Sequence, residues 1–231
     1  MKNVIALELA GAQLLLLAEK ALYWPERKLL FVADIHFGKA AAYRALGQPV
    51  PEGTTLKNLQ RLGNLLEKYP STAIIFLGDF LHAPESHAEQ TINAISQWRV
   101  AHSDIAWVLI RGNHDQRAGD PPKHLQIEVV NEPYLIAPFA FQHTPKAIAD
   151  YHVIAGHIHP IFSLRGKAHQ KFNLPCFHVR AELTVLPSFG EFTGGHRISL
   201  QSDSRVFLTD GTGIWETNTA ATNSIKSQLF K

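Results

Sequence analysis

The sequence predicts an α/β fold of two packed sheets with flanking helices, and three observations carry that prediction. Short, continuous apolar runs recur at Leu29 to Ala33, Ala73 to Leu77, Ala106 to Ile110 and His152 to Ala155, as strands covered on both faces require. Helical periodicity separates the first of these runs. The second half of the chain is richer in strand-like runs broken by Pro and Gly.

At the N-terminus the apolar run Leu14 to Ala18 is bracketed by Glu8 and Glu19, and no small-residue cleavage site follows it. It is too short for a signal peptide's apolar region or a membrane span, so a cytoplasmic location is expected. After the first predicted strand, Pro49 to Gly53 reads as a loop. Leu56, Leu59, Leu62, Leu65 and Leu66 then recur at helical spacing behind Thr54-Thr55, the expected N-cap. Ile92, Ile95 and Trp98 form a second helical pattern between His87 and His102. Further strands are expected at Ala137 to Phe141, Leu183 to Leu186 and Val206 to Leu208. One domain over residues 1–209 is expected. The polar, weakly patterned residues 210–231 are expected to form a C-terminal tail.

Composition narrows the function. In 231 residues, 45% are hydrophobic and 18% charged, and the formal net charge is +2. That balance argues against a protein that holds nucleic acid mainly by overall charge. The single cysteine, Cys176, excludes an intrachain disulfide. The oddity is thirteen histidines.

Their placement follows the strands. LLFVA is followed by Asp34-Ile35-His36, and AIIFLG by Asp79 with His82 three residues on. AWVLIRG is followed by Asn113-His114-Asp115, FAFQ by His143, and HVIAG by His157-Ile158-His159. A single Asp or His after a strand is ordinarily a turn former or a solvated residue. Five strands ending in oxygen and imidazole donors are a different matter, because carboxyl ends of strands open onto the crevice where α/β proteins bind ligands. Gly78, Gly112 and Gly156 precede three of the blocks and permit close approach. Carboxylates and imidazoles gathered in one crevice are costly without a compensating cation. The set lacks thiolate, which suits Mn, Fe or Zn. Seven donors exceed one ion and suit two, with Asp79 as the natural bridge. Two dications against the carboxylates of Asp34 and Asp79 leave the site positive, ready for a phosphate.

The order of these blocks resembles the calcineurin-like metallophosphoesterases over residues 30–160. The stretches ALYWPERKLLFVADIHFGKAAAYRALGQPVPEGTT, RGNHDQRAGDPP, LPCFHV and LPSFGEFTGGH extend the likeness over residues 20–200 to a small bacterial subgroup, the ligase-associated DNA-damage-response endonucleases. The resemblance implies a four-layer α/β/β/α sandwich. It implies one metal held by Asp34, His36, Asp79 and His159, and a second by Asp79, Asn113, His143 and His157. His114 would be the catalytic histidine and Asp115 would orient it. The implied activity is phosphodiester hydrolysis with two divalent ions, Mn with Zn or Fe as alternatives. The substrate would be DNA under repair, with a functional link to DNA ligase and helicase repair proteins.

From the residues themselves, a water activated between two cations attacks phosphorus, while His114 stabilises the phosphoryl oxygens or protonates the departing alkoxide. His82, Arg111, Arg117, Arg165 and Lys167 are candidates to bind substrate, with RGKAHQK the densest basic cluster. Among the remaining histidines, His196 after Gly194-Gly195 is the best candidate for a neighbour of the site. Two other readings remain: a hydrolase of small, cyclic-nucleotide-like diesters, and a scaffold of the same fold without catalysis.

Overall fold

In the computed structural model, residues 2–50, 53–165 and 171–217 are described, the side chains of Arg165 and Lys171 excepted. The first sheet takes its strands in chain order: β1 (Val4–Leu9), β2 (Ala12–Leu17), β3 (Ala21–Trp24), β4 (Leu29–Ala33), β5 (Ala73–Leu77), β6 (Ala106–Ile110) and β7 (Ile127–Val130). Strands β1 to β4 pair antiparallel and β4 to β7 pair parallel. The second sheet contains β8 (Tyr134–Ile136), β9 (Phe139–Gln142), β10 (His152–Ala155), β11 (Pro160–Arg165), β12 (Lys171–Val179), β13 (Leu183–Val185), β14 (His196–Arg197), β15 (Arg205–Thr209) and β16 (Ile214–Thr217). Its order is β14-β11-β12-β13-β10-β9-β8, with β15 also on β12 and β16 on β15. Four helices, α1 (Lys39–Ala45), α2 (Thr54–Lys68), α3 (Glu89–Ala101) and α4 (Asn113–Ala118), complete the set of α-helices among the described residues.

Alternation along β4 explains the layering. Phe31 and Ala33 face the second sheet, where they join Phe139, Phe141, Ile154, Phe177 and Phe207. Leu30 and Val32 face the other way, against Leu59, Leu62 and Leu65 of α2 and Ile95 of α3. Period-two alternation thus feeds two cores from one strand. The inter-sheet core is pinned by Phe31 stacked on Phe141, with centroids 4.4 Å apart, and by Trp24 edge-on to Phe139 at 5.0 Å. Such pairs add to the burial of their area. The helices pack on the first sheet, and the outer face of the second carries smaller clusters around Cys176 and Val153.

Two local expectations are corrected. Thr54-Thr55 does not cap α2: the helix begins at Thr54 and Gly53, in the left-handed region at φ 81°, occupies the cap position. Leu56 sits in the first turn, where it is 61% exposed. The stretch from 210 onward also enters the sheet before any tail, because Ile214 and Trp215 supply apolar side chains to β16. Residues 218–231 lie outside the described set. No helix among the described residues is long and apolar enough to cross a membrane.

Cys176 pairs with Leu208 across β12 and β15 and is fully buried. Burial pushes its thiol up to about 12, so the nucleophilic thiolate is scarce at neutral pH. Native protein at pH 8 is therefore expected to resist iodoacetamide and to take up one equivalent only after denaturation. Mass spectrometry reads the result, and rapid labelling of the native protein would contradict this account.

Candidate active site

Register brings the donors together. In the parallel ladder Ala33 lies opposite Leu77, and Leu77 opposite Ile110. The chain therefore leaves three adjacent strands at one level, and Asp34 follows at once, Asp79 after Gly78 and Asn113 after Arg111-Gly112. In the second sheet Gln142 is level with Ala155, which sets His143 beside His157. Five of the seven expected ligands, Asp34, His36, Asp79, His157 and His159, have positive φ between 49° and 73°. Non-glycine residues rarely adopt this conformation, and strain of this kind concentrates at functional sites.

All seven expected ligands converge. His36 Nε2 lies 3.4 Å from His159 Nε2 and 3.7 Å from Asp79 Oδ2. His143 Nε2 lies 2.9 Å from both Asn113 Oδ1 and His157 Nδ1, and 3.5 Å from Asp79 Oδ1. His159 Nε2 is 3.5 Å from Asp34 Oδ1. Asp34 also approaches the second cluster, with Oδ1 3.6 Å from His143 Nδ1. Both carboxylates are fixed from the main chain. The His157 amide donates to both oxygens of Asp34, at 3.1 and 2.9 Å, and the His114 amide donates to Asp79 Oδ1 at 2.9 Å.

Carbonyl groups set the rings. His143 Nδ1 donates to Leu77 O at 3.0 Å and His159 Nδ1 to Gly194 O at 3.0 Å. With Nδ1–H committed to a carbonyl, Nε2 is the nitrogen each ring turns toward a carboxylate oxygen, Asp79 Oδ1 for His143 and Asp34 Oδ1 for His159, both at 3.5 Å. Burial, with Lys39 next in order, holds His36 well below the ordinary histidine range, and the same causes bring His82 down to about 4. Burial also lowers His157. For His159 burial pulls down, and the Asp34 carboxylate and the Gly194 carbonyl pull up harder. Lys39 itself is 8% exposed in the first turn of α1. Burial lowers its ammonium, opposed by the charges of Asp79 and Asp34.

A divalent cation fits this donor set. Ligands about 2.0–2.2 Å from a common ion lie no further apart than about twice that distance. Asp34, His36 and His159 form one group whose ligand atoms lie within 4.8 Å of one another, and Asp34, Asp79 and His143 form another. A proton can bridge one pair of acceptors but cannot serve a group of three.

A third such group was foreseen only in part: His36, His82 and His114. The His82 ring stacks on His114 with centroids 4.7 Å apart, and its Nδ1 lies 3.3 Å from His36 Nδ1. Ser86 Oγ accepts from the His82 and Ala83 amides and so fixes the turn that carries it. Neither that hydroxyl nor the Leu77 and Gly194 carbonyls gives a sequence signal, because their role is set by tertiary approach. Tyr43, whose ring lies 5.7 Å from His82, was likewise missed.

The expectation that Asp115 orients His114 is corrected. Asp115 Oδ1 accepts from the Phe80 and Leu81 amides, and Oδ2 from the Gly112 amide. Successive residues on a helix point about 100° apart, so the carboxylate turns under the α4 N-terminus while His114 faces the crevice. His114 Nδ1 donates instead to His82 O at 2.7 Å. Burial raises the Asp115 carboxyl to about 6 against these three amides.

The basic candidates divide. Arg111 is engaged by Asp120 through two contacts at 3.0 and 2.8 Å and by Asn131 at 2.7 Å. Arg117 is exposed on α4. The Arg165 side chain and Lys167 lie outside the described residues. His196 is a neighbour of the site through its amide, which donates to His159 O at 3.0 Å.

This fold and this site define a class. The chain belongs to the calcineurin-like phosphoesterase family, whose model matches residues 27–189, and it is accordingly a metal-dependent phosphoesterase. Among solved structures it is similar to the Pseudomonas putida nuclease MPE, at 45% identity and a TM-score of 0.84 over 93% of this chain and 100% of that one. Two further structures are an Aquifex aeolicus protein of unknown function, AQ665, and the E. coli phosphoesterase Yfce. AQ665 is 20% identical over 57% of this chain and 78% of that one, with a TM-score of 0.40. Yfce is 15% identical over 82% of this chain and 97% of that one, with a TM-score of 0.42. Likeness at that level carries no argument here. A comparison with curated proteins gives no match.

One glycine is indispensable to the geometry. A Cβ at Gly78, which has φ 78°, would overlap the His143 ring. Gly78→Ala is expected to displace that ring and weaken metal affinity about ten- to a hundredfold while the chain stays folded. Calorimetric titration with Mn checks this, and parental affinity would contradict it.

Proposed function

We propose that the chain is a dinuclear metal-dependent phosphodiesterase acting on DNA. One observation carries the reading: Asp34, His36 and His159, and again Asp34, Asp79 and His143, bring their ligand atoms within 4.8 Å of one another. Donors gathered this closely call for cations between them. Asp34, His36, Asp79 and His159 would hold one, and Asp79, Asn113, His143 and His157 the other. Mn is the proposed metal, with Zn or Fe accepted by the same ligands.

When bound, such a pair supplies Lewis acidity and an activated water for in-line displacement at phosphorus. The chain's own groups do the rest. His114, its Nδ1–H fixed on the His82 carbonyl, turns Nε2 to the mouth, where as an imidazolium it donates Nε2–H to a phosphoryl oxygen or gives that proton to the departing alkoxide. His82, stacked on it, keeps that ring from turning. Lys39, buried in the first turn of α1, adds a positive charge that Asp79 and Asp34 favour. Asp115 acts at one remove, holding the Phe80-Leu81 turn and the α4 N-terminus together. Similarity to a nuclease over almost the whole chain supports a nucleic-acid substrate. The subgroup resemblance extends the proposal to DNA repair, alongside a ligase and a helicase.

Metal-free protein should be assayed with added Mn, Zn or Fe against circular single-stranded DNA and a small chromogenic diester, at several salt concentrations. Hydrolysis of both is expected, with a steep loss of DNA binding as salt rises. Activity on the small diester alone, with shallow salt dependence, would favour the small-molecule reading. No hydrolysis with any metal would overturn the proposal.

A further inference from the structure

We propose that Phe192 is a stacking platform for a nucleobase next to the scissile phosphate of single-stranded DNA, a specificity-determining contact that rests on the phosphodiesterase reading above. A single exposed apolar side chain is ordinary on a protein surface. Three features set Phe192 apart.

The first is its place. The segment that carries it is tied to the metal site at both ends. Gly190 donates from its amide to Asp34 O, and a Cβ there would lie 2.5 Å from Ile35 O. Four residues on, Gly194 O accepts the Nδ1–H of His159. Phe192 is midway in the chain between these two anchors, two residues from each.

The second is the rigidity of that frame. Arg61 holds Glu191 at 2.9 Å, donates to the Phe189 carbonyl and covers the Phe189 ring at 3.9 Å. Thr193 Oγ1 donates to Gly190 O at 3.1 Å and closes the turn from inside. A platform fixed before the substrate arrives loses little entropy on binding.

The third is the ring itself. Phe189, three residues earlier, is fully buried in the core beside α2, whereas Phe192 is 53% exposed and joins no aromatic pair among the described residues. It also adopts φ 56°, a left-handed conformation that a bulky side chain rarely takes. A polar residue or glycine would serve such a position more easily if it were only a turn. The chain instead spends an aromatic side chain there. Beside a site that takes a phosphodiester, an exposed ring matches the flat face of an unstacked base. Stacking of this kind tolerates any base, and is absent when the target is a duplex with its bases stacked inside.

The test uses a short single strand with one cleavable linkage, intact or with an abasic residue on either side of it, and full-length enzyme loaded with Mn. Phe192→Leu keeps apolar bulk and removes the ring. It is expected to lower kcat/KM on the intact strand about tenfold, and to match the parent on the strand whose abasic residue removes the partner base. Phe192→Gly relieves the left-handed backbone and should melt no lower than the parent while showing the same loss. A 2-aminopurine in the partner position is expected to be quenched by the parent and to stay bright with Phe192→Leu. An equal loss on intact and abasic strands would mean that the loop merely shapes the metal site, and would overturn the contact, as would an unchanged rate on the intact strand. If the parent enzyme neither cleaves nor quenches the intact strand, the DNA reading falls and takes this contact with it.

Discussion

Asp79→Ala is expected to leave the chain folded, to hold at most one tightly bound metal ion, and to lose turnover by well over a hundredfold. The reasoning begins with position. Asp79 follows the central parallel strand β5, is 2% exposed, and shares one of the two donor groups with Asp34. Its Oδ1 is 3.5 Å from His143 Nε2 and its Oδ2 is 3.7 Å from His36 Nε2. Groups that only touch a metal ligand already cost ten- to a hundredfold when removed, and a carboxylate shared by two ions should cost more. Asp79→Asn makes the companion test. It preserves the shape and an acceptor for the His114 amide but removes a negative charge that is buried close to Asp34. Without metal, Asp79→Asn should therefore melt at or above the parent, because an uncompensated buried charge is destabilising. With saturating Mn the order should reverse, since the parent gains stability by binding two ions. Metal analysis and thermal melts with and without Mn read both halves. Two tightly held ions in either variant would overturn the assignment of Asp79 as the bridge.

Most of this site was legible because buried parallel strands read as unbroken apolar runs, so whatever ends them stands out. Leu29–Ala33, Ala73–Leu77, Ala106–Ile110 and His152–Ala155 occur as expected, residue for residue. The N-terminal strands were not legible. There burial alternates over only part of each strand, residues 6–9 of β1 and 12–15 of β2. They are joined by Ala10-Gly11, both at positive φ, 47° and 79°. That is a tight two-residue hairpin without the Asn-Gly or Asp-Gly signal that usually marks one. Asp115 was misread because sequence adjacency to His114 suggested contact, while helical geometry sends the two side chains different ways. The engagement of Arg111 was hidden for another reason. Its partners, Asp120 and Asn131, are 9 and 20 residues further along the chain, and only the tertiary fold reveals that the guanidinium is already engaged.

His114→Ala is expected to keep both metal ions and to lose about a hundred- to ten-thousandfold in turnover on DNA, the range for removal of a positioned acid or base. His114 differs from the ligands around it in two ways. Its side chain is 29% exposed, against 0–3% for the two carboxylates, and its Nε2 stands 4.0 Å from Asp79 Oδ2, further than the 3.5 to 3.7 Å of the ligand histidines. It therefore faces the mouth, where a phosphate would arrive. The leaving group separates two roles that a simple rate loss would merge. An alkoxide such as the DNA 3′-oxygen needs a proton as it departs, whereas p-nitrophenolate is stable without one. If His114 supplies that proton, the variant should lose far more on DNA than on a p-nitrophenyl diester. If it only steadies the phosphoryl oxygens, both substrates should suffer alike. Because His114 also groups with His36 and His82, metal content must be measured in the same samples. A fall to one ion per chain would make His114 a ligand and would refute its place as the group that meets the substrate.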